Sequence, residues 1–293
     1  MVETAPLNPE TVEEKIHPDA QSAAALENPR WHLDLPQLVV GVGQSVGKQR
    51  DHNEDALFTL TTNLIFDSNR VEFGLFIVAD GMGGHQHGEI ASGVAVRSMA
   101  EYIIRKLYVP LLDIEERQAE DSIQEILQEG VQRSHQAILN GALGGGTTLT
   151  TALILGNQLT IGHVGDSRGY IIHADGHMQI LTHDHSLVKR LEELGQITSE
   201  EAAVHPQRNV LYRALGQGEP FDPDVATFPM PHEAYLLLCS DGLWGVVSER
   251  EIFNLVTTSP DPQQACQALI DAANAAGGPD NISVILVQLP SNA

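Results

Sequence analysis

Five short segments of the sequence place an aspartate beside glycine, asparagine or the end of an apolar run. They cover residues 50–55, 80–84, 165–168, 240–242 and 279–281. Carboxylate oxygens are the hard ligands that Mg2+ and Mn2+ prefer, and these ions commonly combine a few carboxylates with several waters. The chemistry that such a set could perform is hydrolysis assisted by divalent cations.

Any one of these pairs taken alone indicates no more than a turn, because Asp, Asn and Gly all suit turn geometry. Asp80, Asp166 and Asp241 differ because each closely follows an apolar, strand-like run. These runs cover residues 75–79, 159–164 and 236–239. Side chains at the ends of neighbouring strands can meet at one edge of a sheet, so we expect the three carboxylates to converge on a single site.

Hydrophobic spacing predicts the elements that position these residues. It predicts strands at residues 71–79, 147–155, 158–163, 169–173, 178–181, 235–239 and 282–288. It predicts helices at residues 89–107, 119–139, 249–257 and 261–275. Hairpins and paired helices, without strict alternation of strand and helix, favour an α+β fold over a doubly wound parallel sheet.

The start of the chain differs from the remainder in composition. Residues 1–36 contain five prolines and several acids without a sustained apolar period, which predicts a flexible N-terminal leader. Neither a repeat of fixed period nor a long low-complexity tract divides the rest. We therefore expect one catalytic domain at residues 37–290.

Charge and cysteine content restrict the partners and the compartment. The 293 residues include 16 Lys and Arg against 39 Asp and Glu, a net charge of −23, without a basic stripe. This balance argues against nucleic acid and anionic membrane surfaces as partners. The chain has only two cysteines, lacks a secretory signal pattern and lacks an apolar run of ~20 residues, so we expect a cytoplasmic location. For the assembly, we expect a monomer.

Six motifs stand in a fixed order between residues 44 and 288. They are Arg50 with Glu54 and Asp55, then 80–84, 145–148, 165–168 and 240–242, then Asp280 with Asn281. Each motif is short, but six in this order form a specific pattern. The pattern resembles the PPM-type, or type 2C, metal-dependent serine/threonine protein phosphatases, in the form of the bacterial members. The resemblance implies a four-layer αββα sandwich, with two antiparallel sheets face to face and helices outside.

The resemblance also implies a centre of two Mg2+ or Mn2+ ions. Asp80 would bridge both ions, and the carbonyl oxygen of Gly81 would bind one of them. Asp241 and Asp280 would bind the other ion. Asp166, together with Asp241, would hold a third and weaker ion.

Three further residues have roles implied by the resemblance. Glu54 and Asp55 would hold waters of the metal ions as outer groups. Arg50 would bind two oxygens of the phosphate through its planar guanidinium group. The alternative for Arg50 is a surface salt bridge with Asp51 or Glu54.

The reaction implied is hydrolysis of phosphoserine and phosphothreonine in proteins by attack of a hydroxide that bridges the metal ions, as part of bacterial signalling. Met82 stands where many eukaryotic relatives have a histidine proposed to protonate the leaving alcohol, and Met cannot donate a proton. Two alternatives remain open: a catalytically silent module that binds phosphoproteins, and a hydrolase of small phosphate esters. Loss of ligand positions would mark the silent module, and the chain retains all of those expected.

Two other sequence patterns could indicate a different kind of functional site. The sequence Thr-His-Asp-His-Ser at residues 182–186 could bind zinc. The resemblance places residues from about 183 to 213 in a flap beside the cleft, and we expect His183, His185, His85 and His87 to lie in solvated loops, because residues two apart on an extended segment face opposite ways. Residues 165–169 fit the Gly-x-Ser-x-Gly pattern, but the following strand-like run does not suit a nucleophile elbow.

Overall fold

A computed structural model describes residues 37–66, 69–83, 86–113, 121–142, 144–218 and 221–290. The predicted leader, residues 1–36, lies outside the described residues, as do Gly84, the last residue of the second motif, and His85. The strands are β1 Val39–Ser45, β2 Ala56–Phe66, β3 Asn69–Ala79, β4 Gly81–Met82, β5 Gly146–Thr147, β6 Leu149–Leu155, β7 Gln158–Val164, β8 Arg168–His173, β9 Met178–Ile180, β10 Asp224–Pro229, β11 Ala234–Cys239 and β12 Ile282–Gln288.

The helices follow the strands in both halves of the chain. They are α1 Gln86–Ile103, α2 Val109–Leu111, α3 Ile123–Gly141, α4 Leu187–Glu193, α5 Ser199–Ala203, α6 Asp241–Trp244, α7 Glu249–Thr258 and α8 Pro262–Ala275. A π-helical turn at Ile104–Tyr108 joins α1 to α2. In the described part of the chain, every helix is too short or too polar to cross a membrane.

Two antiparallel sheets organise these elements. The first sheet has the order β1-β12-β11-β8-β9 and the second has the order β10-β7-β6-β3-β2. The short strands β4 and β5 pair with each other beside the second sheet.

Alternation of side chains along the strands produces four layers. In β3, Phe76 and Val78 join the core between the two sheets, which also receives Ile285 of β12. The neighbouring residues Leu75 and Ile77 point the other way and pack against α1 and α3. On the far side of the first sheet, a third core packs against α7 and α8. The predicted αββα sandwich of two antiparallel sheets is therefore confirmed.

Several boundaries differ from the predicted ones for local reasons. The helix predicted from residue 119 begins at Ile123, because Ser122 and Glu125 form a reciprocal capping box at its N-terminus. The strand predicted at 147–155 is divided between β5 and β6 at Thr148. The sequence patterns did not identify β1, β2, β10, α4, α5 or α6.

Strand β1 packs unusually closely against α8. A Cβ atom on Gly41 would lie 2.1 Å from the carbonyl oxygen of Pro262, so a side chain cannot be accommodated there. The amide of Gln263 also binds the outer edge of β1, because Val42 N–H donates to its Oε1 at 3.0 Å and its Nε2 donates to Val42 O at 2.9 Å. These two hydrogen bonds satisfy the backbone N–H and C=O of Val42 on the edge of β1 that does not pair with β12.

Candidate metal centre

Asp80 stands immediately after β3, and two threonines fix its backbone. Asp80 N–H donates to Thr148 Oγ1 at 2.9 Å. Its carbonyl oxygen accepts from Thr147 Oγ1 at 2.8 Å and from Thr148 N–H at 2.9 Å. The motif at residues 145–148 therefore positions Asp80, a role that the sequence pattern did not reveal.

Asp241 enters from the other sheet, as the first residue of α6 directly after β11. Close packing at the next residue sets its position, because a Cβ atom on Gly242 would lie 1.9 Å from the carbonyl oxygen of Asn281. Only glycine allows this approach, which brings the start of α6 against the segment that contains Asp280. The side chain of Asp241 lies close enough to Asp80 for its charge to raise the pKa of Asp80.

Two acidic residues of the first motif, Glu54 and Asp55, also belong to this group. Asp55 is buried, and its Oδ2 accepts a hydrogen bond of 2.9 Å from Ser240 Oγ. Glu54 is also buried, and its carbonyl oxygen accepts from Ser92 Oγ at 2.6 Å and from Gly81 N–H at 3.2 Å. The backbone of Glu54 thus ties the first motif to α1 and to the residue after Asp80.

Asp166 lies in the loop between β7 and β8, so it stands where the chain passes from the second sheet to the first. Its carbonyl oxygen accepts from Trp244 Nε1 at 3.0 Å. Arg168 stacks on the Trp244 ring at 3.6 Å and makes a bidentate ion pair with Asp184, with a shortest contact of 2.7 Å. Ser167 is buried and shares a hydrogen bond of 2.8 Å with Thr148, and β8 follows it, so the nucleophile-elbow pattern fails here.

Burial and mutual repulsion raise the pKa values of several carboxylates in this group. Burial raises the pKa of Asp80 well above its usual value, and the charges of Asp55, Asp241, Asp166 and Asp280 raise it further. Burial, followed by the charge of Asp280, raises the pKa of Asp241 to about 6. Burial, opposed by hydrogen bonds from serines and assisted by Asp241, raises the pKa of Asp55 to about 7. The same cause, assisted by Asp241, raises the pKa of Asp166 well above its usual value.

The donor atoms fit divalent cations by an independent observation. Within the described residues, buried oxygens without a hydrogen-bond partner include Asp55 Oδ1 and Asp241 Oδ1. Glu54 Oε1 also lacks a hydrogen bond, although His52 Nε2 lies 3.4 Å from it. Unpaired buried carboxylate oxygens are costly, and coordination of a cation supplies the missing partner and the opposite charge. Oxygen-only donors of this kind suit Mg2+ and Mn2+ rather than zinc.

Arg50 lies at the edge of the group in contact with one of its carboxylates. Its Nη2 donates to Asp280 Oδ2 at 2.8 Å, and 46% of its side chain is exposed. The pairing therefore differs from the salt bridge with Asp51 or Glu54 considered from the sequence. Met82 is half-buried in β4 and offers no proton to the site.

His183, His185 and Asp224 form a second cluster, with candidate ligand atoms within 4.8 Å of one another. The expectation of a solvated loop is wrong for His185, which is only 1% exposed. The expectation that His183 and His185 face opposite ways is also wrong, because residues 182–185 are not a regular strand and the two ring centroids lie 6.0 Å apart. His87 is exposed, as expected, but it lies in the first turn of α1 and not in a loop, and His85 lies outside the described residues.

Hydrogen bonding argues against a metal ion in this second cluster. Gly165 N–H donates to His185 Nδ1 at 3.0 Å, so that nitrogen carries no hydrogen. The neutral ring then has its hydrogen on Nε2, which donates to Asp224 Oδ2 at 3.1 Å. Arg213 Nη1 also lies 3.1 Å from Nε2, so a cationic group occupies the space that a metal ion would need. Arg213 donates to Asp224 Oδ1 at 2.8 Å and places a fixed positive charge there. The cluster is therefore a hydrogen-bonded anchor at the ends of the segment 183–213.

Comparisons with known proteins agree with these features. The family model for Protein phosphatase 2C matches residues 40–282. Serine/threonine phosphatase stp of Listeria innocua is 39% identical over 245 residues, which cover 83% of this chain and 92% of the relative. The structure of the serine/threonine phosphatase PstP/Ppp of Mycobacterium tuberculosis aligns with a TM-score of 0.71 at 33% identity, covering 87% of this chain and 99% of that chain. The catalytic domain of PstP in complex with 2 manganese ions aligns with a TM-score of 0.69 at 30% identity and the same coverage.

Proposed function

The chain belongs to the protein phosphatase 2C family and is a serine/threonine protein phosphatase, and from this premise we propose that it dephosphorylates phosphoserine and phosphothreonine in bacterial signalling proteins at the group of carboxylates around Asp80. The observation that supports this site most strongly is the pair of buried oxygens without a hydrogen-bond partner on Asp55 and Asp241. Without cations, burial and mutual repulsion of these carboxylates lower the stability of the fold. Bound cations would supply the opposite charge and the missing partners.

The proposed metal ligands are the side chains of Asp80, Asp241 and Asp280 and the carbonyl oxygen of Gly81. They would hold two Mg2+ or Mn2+ ions, and Asp166 with Asp241 would hold a third, weaker one. Two such ions, when bound, lower the pKa of a water and neutralise charge on the phosphoryl oxygens.

The remaining roles belong to side chains around the ligands. Asp55 and Glu54 would accept hydrogen bonds from waters at the site, through side-chain oxygens that have no hydrogen bond within the protein. Arg50, already at the edge of the group and half-exposed, binds two oxygens of the substrate phosphate and orients it. Met82 cannot protonate the leaving alcohol, so that proton comes from another donor.

We further propose that the phosphatase domain covers residues 37–290, with residues 183–213 forming the flap. The segment 183–213 carries α4 and α5, and its two ends are tied together by a bridge between Ser186 and Leu211. A cytoplasmic monomer acting on phosphoproteins agrees with the net charge of −23 and with Cys239 and Cys266 being free thiols.

The replacement Asp80→Asn tests the site. It removes the charge of the proposed bridging ligand and should reduce manganese-dependent hydrolysis of a phosphopeptide by about a hundredfold to a thousandfold, the size of loss typical for a group that stabilises developing charge. Asp175→Asn, at the tip of the hairpin between β8 and β9, is the matched control and should leave turnover unchanged. Near-normal turnover in purified Asp80→Asn protein would refute the proposed site.

A comparison of substrates separates the proposed reaction from its rivals. The wild-type protein with Mn2+ or Mg2+ should hydrolyse phosphoserine and phosphothreonine peptides in preference to metabolite phosphate esters, and a chelator should stop the reaction. A preference for small esters would identify the other class of hydrolase. Binding of phosphopeptides without hydrolysis would identify a silent binding module.

A further inference from the structure

We propose that Asn281 is a positioning residue for phosphate binding, because its side-chain amide fixes the backbone on both sides of Arg50. The inference rests on the proposed function in one respect, since it takes Arg50 as the group that binds the substrate phosphate. Asn281 does not contact the substrate in this proposal. It acts through the segment 46–54, which carries Arg50 and lacks regular secondary structure over most of its length.

The amide of Asn281 makes three hydrogen bonds to this segment. Its Oδ1 accepts from Glu54 N–H at 2.8 Å. Its Nδ2 donates to Val46 O at 2.9 Å and to His52 O at 2.9 Å. Asn281 is only 4% exposed, so the amide makes these bonds away from competing solvent.

The requirement for an amide follows from the partners. Glu54 N–H needs an acceptor, whereas the carbonyl oxygens of Val46 and His52 need donors. An aspartate at position 281 would offer only acceptors and would repel both carbonyl oxygens. Asparagine satisfies all three groups with one side chain, and it bridges positions that are 227 to 235 residues apart.

Neighbouring contacts hold Asn281 itself in place and extend the docking of the segment. Asn281 N–H donates to Asp280 Oδ1 at 2.8 Å, and its carbonyl oxygen packs directly against Gly242. The carbonyl oxygen of Gly278 accepts from Lys48 N–H at 2.8 Å and from Gln49 N–H at 3.2 Å. The stretch 278–281 is therefore a fixed base on which the segment around Arg50 is mounted.

The consequence concerns the alignment of Arg50 with the carboxylate group. Arg50 contacts Asp280, the residue next to Asn281, so both ends of the ion pair are set by the same short stretch of chain. The planar guanidinium group must meet phosphate oxygens in a defined orientation, and misplacement by about 1 Å can cost about a hundredfold in rate. Release of the segment from Asn281 would misplace Arg50 without altering any charge at the site.

A double-mutant cycle tests this coupling. Asn281→Ala is made in the wild type and in Arg50→Ala, and binding of inorganic phosphate to the manganese-loaded proteins is measured by calorimetry, with KM and kcat for a phosphopeptide measured in parallel. We expect Asn281→Ala to weaken phosphate binding and raise KM by about tenfold in the wild type, which corresponds to ~1.4 kcal/mol. In the Arg50→Ala background it should have no further effect on phosphate binding, because coupled residues are non-additive.

The matched control is Gln263→Ala, which removes another side-chain amide whose two hydrogen bonds hold the backbone of Val42 in β1 and not the segment 46–54. It should leave phosphate binding unchanged in both backgrounds. Equal weakening by Asn281→Ala in both backgrounds would show a merely structural role and overturn the proposal. If Asn281→Ala fails to fold, Asn281→Ser, which retains a hydroxyl, replaces it in the same cycle. Failure of the proposed function is a separate result, since it would appear as absent phosphopeptide hydrolysis by the wild type.

Discussion

Replacement of Asp241 by Asn should stabilise the metal-free protein while it removes a proposed metal ligand. Burial and the nearby charge of Asp280 raise the pKa of Asp241 to about 6, against an unfolded value of about 3.8. The folded state therefore holds this proton more tightly, and Asp241 lowers stability as the pH rises from 3.8 to 6. At about 1.4 kcal/mol per pH unit, the cost at pH 7.5 is ~3 kcal/mol, and at pH 5 it is about half of that.

The assay is urea unfolding with a chelator present, at pH 7.5 and at pH 5. Asn at position 241 has the shape of Asp without its charge, so the variant should gain ~3 kcal/mol in free energy of unfolding at pH 7.5 and about half as much at pH 5. Saturating Mn2+ should reverse the order at pH 7.5, because the wild type binds the cation more tightly and gains its binding energy.

Asp261→Asn is the control for loss of one negative charge from a chain of net charge −23. Asp261 caps the N-terminus of α8 by accepting from Gln264 N–H at 2.8 Å, and Asn is an equally good capping residue. Its stability should change little at either pH. The reasoning fails if Asp241→Asn is neutral or destabilising at pH 7.5 without metal, or if its benefit does not shrink at pH 5.

Two further predictions concern residues that hold the ligands in place. Thr148→Val removes the hydroxyl that accepts from Asp80 N–H, which should cost ~1–3 kcal/mol of stability and weaken Mn2+ binding. Denaturant titration measures the stability and calorimetry measures the Mn2+ affinity. An unchanged Mn2+ affinity would contradict the role given to this threonine. Gly242→Ala forces α6 away from Asn281, since the new Cβ atom would lie 1.9 Å from its carbonyl oxygen. We expect a loss of ~1–3 kcal/mol and reduced Mn2+ affinity, and a variant with wild-type affinity would show that Asp241 tolerates the shift.

The convergence of Asp80, Asp166 and Asp241 was predictable because each aspartate directly or closely follows a buried strand. An apolar run that ends in Asp-Gly is a local signal, and its meaning does not depend on distant residues. The four-layer arrangement was predictable only through the resemblance of ordered motifs, since periodicity alone yields elements and not layers.

Other features were hidden for identifiable physical reasons. Strand β1 contains Gly41 and Gly43, which weaken a strand pattern but are required by the close approach of α8. The burial of His185 depends on partners from Gly165 and Asp224, which are distant in sequence. Helix α5 did have a usable signal, because Thr198 and Glu201 form a capping box that can be read from their spacing.

The proposed ligands come from different sheets, and this has a kinetic consequence. Asp80 follows β3 of the second sheet, whereas Asp241 and Asp280 flank β11 and β12 of the first sheet. The ligand set therefore exists only after the two sheets have docked, late in folding, when contacts between distant parts of the chain have already formed. A cation that binds at this stage slows unfolding and leaves the rate of folding nearly unchanged, so it stabilises the folded protein kinetically.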